Sequence, residues 1–189
     1  MRYMGGLRRL MPWTYGAVMI GGLSLSGIFP MAGFWSKDEI LNHAWHSSSL
    51  VSDVVFWLAL IAAFMTAFYM FRAVFMTFEG DYKGGAKSDP DIEISDEITP
   101  HESPKVMVIP LVVLAIATLI VGWLVNPLTN MGSIPIHWFA EFIHVGDGHE
   151  KVLEFNKVLA VISSLIAISG IVLAYLIYVS NFGIFKSFQ

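Results

Sequence analysis

The stretch LMPWTYGAVMIGGLSLSGIFPMAGFWSKDEIL, residues 10–41, decides the fold. From Leu10 to Ser36 it holds no charged side chain. About 20 apolar residues in a helix cross a bilayer core, so this run exceeds one simple crossing. Gly27, Pro30 and Gly33 cluster near its end. A proline removes a backbone donor and clashes with the preceding turn. Together the three predict a broken helix. Broken backbone at membrane depth survives only where it is packed in protein or lines a water-filled cavity, and such breaks mark ion and substrate sites.

Three more apolar runs follow. Val54 to Phe71 is charge-free and resumes from Ala73 to Phe78; Val106 to Ala140 and Val158 to Phe185 are the others. Asn126 and Pro127 should end the helix of the third run near Val125. These runs are too long for barrel strands, and only helices or closed barrels satisfy their backbone in lipid. The expected fold is all-α: a membrane protein of four transmembrane helices at about 11–47 (broken), 51–78, 105–126 and 154–180. Composition agrees. The chain is 56% hydrophobic and 14% charged, against about 45–50% and 25% in soluble domains. Its net charge of −4 offers no basic surface for nucleic acid. The absence of cysteine removes disulfides, thiolate metal sites and Cys-ligated iron–sulfur clusters. Arg2, Arg8 and Arg9 precede the first run as in a signal peptide, but that run is too long and lacks a small-residue cleavage site.

The connection from Glu79 to Lys105 is acidic and broken by Pro90, Pro100 and Pro104. Its Asp89-Pro-Asp91-Ile-Glu93 segment has calcium-loop spacing without the required glycine, so it reads as a solvated loop. The connection at about 127–153 carries Trp138, Phe139, Phe142, His137, His144 and His149, which suits the membrane interface or a neighbouring protein. Arg2, Arg8, Arg9, Arg72, Lys83, Lys87, Lys105 and Lys186 lie on one side of the four crossings; Lys151 and Lys157 lie on the other. Basic residues stay in the cytoplasm, so both termini and the acidic loop are expected there.

Directly after the break stands Ser36-Lys37-Asp38-Glu39. Ser36 and Glu39 have capping-box spacing, which predicts a half-helix restarting near Ser36 with Asp38 and Glu39 in its first turn. Lys37 fits that plan poorly, because a cation at a helix N-terminus opposes the dipole. Burial and the dipole work against its charge, while Asp38 or another acid works for it. A lysine so balanced can load and release a proton. The competing reading is an interfacial lysine that snorkels to water. Arg72, near the end of the second run, is read mainly as snorkelling and otherwise as part of a polar axis. His43 and His46 have helical metal spacing but no third ligand in view, so no metal is assigned. His101 and Glu102 read as helix-start chemistry for the third span. Gly22 and Ser26 have small-xxx-small spacing for close helix packing.

Four stretches in order carry a resemblance: Met4-Gly-Gly-Leu-Arg-Arg9, Ala32-Gly-Phe-Trp-Ser-Lys-Asp-Glu-Ile-Leu41, Thr66-Ala-Phe-Tyr-Met-Phe-Arg72 with Phe75-Met-Thr-Phe-Glu79, and His101-Glu-Ser-Pro104. They resemble the C-terminal part of the distal antiporter-like membrane subunit, subunit L, of respiratory complex I. The resemblance covers Met4 to about Pro110; the fourth span fits by position. It implies that Lys37 is the lysine of the broken helix in an outward proton half-channel, with Asp38 as its acidic neighbour. It further implies a fragment, because the family's upstream Glu–Lys pair and later lateral helix are not in these residues. No catalytic residue or cofactor site is expected here; NADH, FMN, iron–sulfur clusters and quinone belong to partner subunits. The expected partners are the lipid bilayer and other complex I membrane subunits, above all the adjacent antiporter-like one. The expected location is a bacterial inner membrane rather than an organellar one. A related subunit of a multisubunit sodium/proton antiporter or membrane-bound hydrogenase shares the lysine and the break. A membrane scaffold without transport is the third alternative.

Overall fold

The computed structural model describes residues 4–47, 49–83, 100–125 and 155–180. Within them every regular element is helical: a short 3-10 turn Leu7–Arg9, then α1 Pro12–Ser26, α2 Ala32–His46, α3 Leu50–Phe78, α4 Lys105–Val125 and α5 Lys157–Tyr178. Most of the acidic loop, and the aromatic and histidine-rich connection at 127–153, lie outside the described residues. By length and composition, α3, α4 and α5 can each cross a membrane. The chain is a multi-pass membrane protein.

Local chemistry accounts for the helix ends. Pro12 opens α1 at a position where a missing N–H costs nothing. Ser49 caps α3, its hydroxyl accepting from the Val51 N–H, and Asp53 follows in the first turn. Asn156 caps α5, accepting from Val158 at 3.1 Å and Leu159 at 3.3 Å. The N-terminus of α1 is held differently. The Glu102 carboxylate, just ahead of α4, accepts from the Trp13 N–H at 2.9 Å and the Thr14 hydroxyl at 2.6 Å. Burial opposes the Glu102 charge, but the bonds from the Thr14 side chain and the Trp13, Ser103 and Thr14 N–H groups outweigh it and hold this carboxyl below its ordinary range. The expected helix-start role of Glu102 therefore belongs to α1, not to α4.

A second tether joins the start of the chain to the end of α3. The Gly6 N–H donates to the Glu79 carbonyl at 3.1 Å. Arg8 pairs with the Glu79 carboxylate at 3.1 Å and lies over the Tyr15 ring at 5.1 Å. Gly5 and Gly6 allow this approach: a Cβ at Gly5 would meet the Asp81 carbonyl oxygen at 2.5 Å, and one at Gly6 the Gly80 oxygen at 2.9 Å. The first motif is thus a backbone-to-backbone seat.

These contacts set the directions. Glu79 and Glu102 bring the end of α3 and the start of α4 to the start of α1. At the opposite end, Trp45 of α2 stacks on Phe56 early in α3, with ring centroids 5.1 Å apart. Phe75 of α3 meets Tyr175 of α5 at 5.8 Å, so α5 runs parallel to α3. The α3–α5 pair forms the most extensive interface. Its α5 side is small: Ala160, Ser163, Ala167, Gly170 and Ala174 are all buried. A Cβ at Gly170 would lie 2.7 Å from the Phe64 carbonyl oxygen. Hydrocarbon gives helices no hydrophobic reason to associate, so close backbone approach over small residues supplies the contact. Gly22 packs the same way, its Cβ position 4.0 Å from Phe71 and Val74 of α3. The outer faces are apolar and open: Leu50 is 86% exposed and Val106 82%, as lipid contact requires.

Candidate functional site: a helix break with a lysine laid across it

The break begins at Gly27. Its φ of 79° and ψ of 38° are left-handed, a conformation glycine adopts without the usual penalty. The Gly27 N–H donates to the Ser24 carbonyl at 2.9 Å and the Ile28 N–H to the Leu23 carbonyl at 3.1 Å, a Schellman closure. The chain crosses Ile28 to Met31 and restarts as α2. Gly33 then sits hard against the end of α1: a Cβ there would fall on the Ser24 carbonyl oxygen, and its N–H donates to the Ser24 hydroxyl at 3.2 Å.

Helix α2 begins at Ala32, not near Ser36, and no side chain caps it. Ser36 and Glu39 do not form a capping box. The Ser36 hydroxyl donates to the Gly33 carbonyl at 3.3 Å, and Glu39 is exposed past the first turn. The N–H of Phe34 is satisfied by the Met31 carbonyl, which removes the need for a side-chain cap.

This earlier start moves Lys37 off the helix N-terminus. Its side chain reaches back over the break, and Nζ donates to the Leu25 carbonyl at 2.6 Å. Leu25 is in the last turn of α1, where carbonyls lack helical partners and the dipole is negative. The ammonium therefore lies at the favourable end of one helix while its backbone belongs to the next. Gly27 leaves room for the stem, since a Cβ there would meet Lys37 Cδ at 2.9 Å.

Asp38 diverges from Lys37. It is only 2% exposed and shares the buried stripe of α2 with Phe34, Leu41 and Asn42. Its Oδ1 has no hydrogen-bond partner among the described residues. Among those residues Lys37 and Asp38 make no ion pair with each other. Arg72 is away from the break, with its guanidinium 5.5 Å from the Tyr178 ring centroid. Gly27, Gly33, Lys37 and the end of α1 converge; Arg72 and Glu39 do not join them.

One feature of the neighbourhood was not anticipated. Phe29, Phe34, Trp35, Trp123 and Phe155 form a continuous aromatic cluster beneath the break, with ring centroids between 5.3 and 6.3 Å apart. Gly122 of α4 admits the Trp35 ring, which a Cβ would contact at 2.6 Å. The five aromatics flank the break or sit at helix ends, and that placement is the signal that could have found them. The arrangement is chemically one-sided: aromatic surface below, and a backbone carbonyl bound to an ammonium above.

Two families match. One, described as the membrane-spanning C-terminus of an NADH-dehydrogenase (complex I) subunit, matches residues 86–189. The other, NADH:quinone oxidoreductase/Mrp antiporter, TM, matches residues 1–66. The chloroplastic NAD(P)H-quinone oxidoreductase subunit 5 of Zygnema circumcarinatum is 40% identical over 167 residues, which is 73% of this chain and 23% of that protein. NAD(P)H-quinone oxidoreductase chain 5 of Synechocystis is 37% identical over 211 residues, 94% of this chain and 29% of the relative. NADH-ubiquinone oxidoreductase chain 5 of Rhizopus stolonifer is 36% identical, over 94% of this chain and 27% of its own length. The chain thus spans about a quarter of the curated relatives it matches. With a family match over residues 86–189 and a second over residues 1–66, the chain belongs to the complex I antiporter-like membrane subunit family.

Proposed function

We propose that these residues are the C-terminal part of the distal antiporter-like subunit, subunit L, of an NADH-quinone oxidoreductase. In the whole protein Lys37 holds and releases a proton on the outward side of the path. NADH oxidation and quinone reduction in partner subunits drive the cycle. The observation that carries the reading is the Lys37 ammonium on the Leu25 carbonyl across a helix break. In this reading α1 and α2 together make a first, broken crossing, α3 to α5 make three more, and the N-terminus and acidic loop face the cytoplasm of a bacterial cell. Asp38 is the acidic neighbour that responds to changes in charge nearby, and the adjacent antiporter-like subunit is the nearest partner.

The energies are commensurate. A hydrogen bond to a charged group contributes about 1.5–3 kcal/mol. Moving one charge through a membrane field costs about 2.3 kcal/mol per 100 mV. Losing the ammonium's bond to Leu25 on deprotonation is therefore of the size needed to gate one proton against the membrane potential.

The test is proton uptake and NADH oxidation measured together in the whole complex. Lys37→Ala should lower the protons moved per NADH while the distant redox chemistry continues. Lys37→Arg should also lower it, because arginine stays charged. Full pumping with both changes removes Lys37 from the mechanism. The second family's description also names the Mrp antiporter, so a sodium/proton antiporter subunit is the alternative; purifying the chain with its partner subunits distinguishes the two.

A further inference from the structure

The His101-Glu-Ser-Pro104 motif has no part in the proton step described above. Its carboxylate nevertheless makes the most specific long-range contact in the chain. Glu102 reaches a helix 89 residues away in sequence and binds the Trp13 N–H at 2.9 Å, together with the Thr14 hydroxyl at 2.6 Å. Those groups belong to the first turn of α1, where N–H donors have no partner within the helix. Met11, the residue that would ordinarily cap α1, supplies no side-chain bond. The cap of α1 is thus imported from the start of α4.

The opposite end of the same helix is the Lys37 site. Helix α1 has 15 residues, so at about 1.5 Å per residue its ends are some 20 Å apart. It is a short rigid rod with one carboxylate at its N-terminus and one ammonium at its C-terminus. The Ser24 and Leu25 carbonyls, which Gly33 approaches and Lys37 binds, move only if the rod moves.

We propose that Glu102 is a positioning residue for Lys37. By fixing the N-terminus of α1 it sets the axial position of the whole rod, and so the place of the Leu25 carbonyl that receives the ammonium. This rests on the proton-transfer reading for its consequence, but the positioning itself can be measured without it.

The experiment uses the complete complex in lipid nanodiscs carrying Glu102→Gln, Thr14→Val or Thr14→Ser. Three readouts are taken: amide exchange in the first turn of α1, acylation of the Lys37 amine followed by mass spectrometry, and protons moved per NADH. Exposed Lys157 is the internal reference for acylation. A lost helix cap speeds exchange by about 2- to 30-fold. Glu102→Gln should give about tenfold faster exchange, severalfold faster acylation of Lys37 relative to Lys157, and a lower proton ratio. Thr14→Val should move all three the same way by less. Thr14→Ser keeps the hydroxyl and should restore the wild-type values.

Faster exchange with unchanged Lys37 acylation would show a merely local cap and overturn the proposal. Unchanged exchange in Glu102→Gln would show that the clasp does not hold α1, and overturns it as well. The functional reading fails separately, if Lys37→Ala pumps normally; Lys37 acylation in Glu102→Gln still decides the positioning claim.

Discussion

Replacing Gly27 tests the break most directly. Two costs follow from the geometry, and they can be ranked. An alanine at φ 79° and ψ 38° carries the left-handed penalty of about 1–2 kcal/mol. Its Cβ would also stand 2.9 Å from Lys37 Cδ, inside the usual 3.5–4.0 Å separation, so the lysine stem must retreat by roughly 0.5 Å. That retreat stretches the 2.6 Å bond to Leu25 but leaves it within hydrogen-bond range. Backbone strain is therefore the greater of the two costs. Gly27→Ala should lose about 1–2 kcal/mol, a factor of about 5–30 in the folded-to-unfolded ratio. Gly27→Asn should lose less, since asparagine tolerates this conformation. Equilibrium unfolding of the whole subunit in mixed micelles measures both. A cycle with Lys37→Ala isolates the contact: strain persists there, so the coupling should stay below about 0.5 kcal/mol. An unchanged stability in Gly27→Ala, or a coupling that accounts for most of the loss, would refute the ranking.

Gly170→Leu should separate α5 from α3, because even a Cβ meets the Phe64 carbonyl oxygen at 2.7 Å; disulfide capture between cysteines placed at Ala67 and Ala167 should fall, and undiminished capture would contradict the seam. The chain has no cysteine, so Asp81→Cys and Ser47→Cys can be labelled cleanly, and they should react from opposite sides of the membrane, Asp81→Cys from the cytoplasm. Protection of the Trp13 and Thr14 amides should depend on pH. The Glu102 carboxyl is lowered by folding, so its contribution is complete above its unfolded value of about 4.3 and is lost as pH falls through the lower folded value. Protection lost instead between pH 5 and 7 would assign it to another group.

The local chemistry of the break was legible because Gly27, Pro30 and Gly33 act through their own backbones. The restart was misplaced because Ser36 and Glu39 have the spacing of a capping box, whereas the turn from Ile28 to Phe34 satisfies its own N–H groups and starts α2 at Ala32. That displacement reversed the electrostatics of Lys37. Sequence reasoning sought an acid for its partner and did not consider a peptide carbonyl, which every residue possesses and no side chain announces. Glu102 was recognised as helix-start chemistry and given to the wrong helix, since a cap 89 residues distant has no local signature. The seam on α5 was written in its small residues from Ala160 to Ala174 but went unread, because an apolar run in a membrane segment shows length more plainly than it shows a face.

The two tethers at the start of α1 also bear on how the chain tolerates being cut. The Glu79 carbonyl and carboxylate hold Gly6, Arg8 and Tyr15, while Glu102 independently holds Trp13 and Thr14. A nick within residues 84–99 would leave each stump fastened to the same helix start. The covalent link there is then redundant for holding the ends together. Two separately made pieces, one ending after α3 and one beginning at α4, would carry complementary halves of a docking key that α1 reads at both edges. An affinity tag or reporter domain spliced into that interval would burden neither tether.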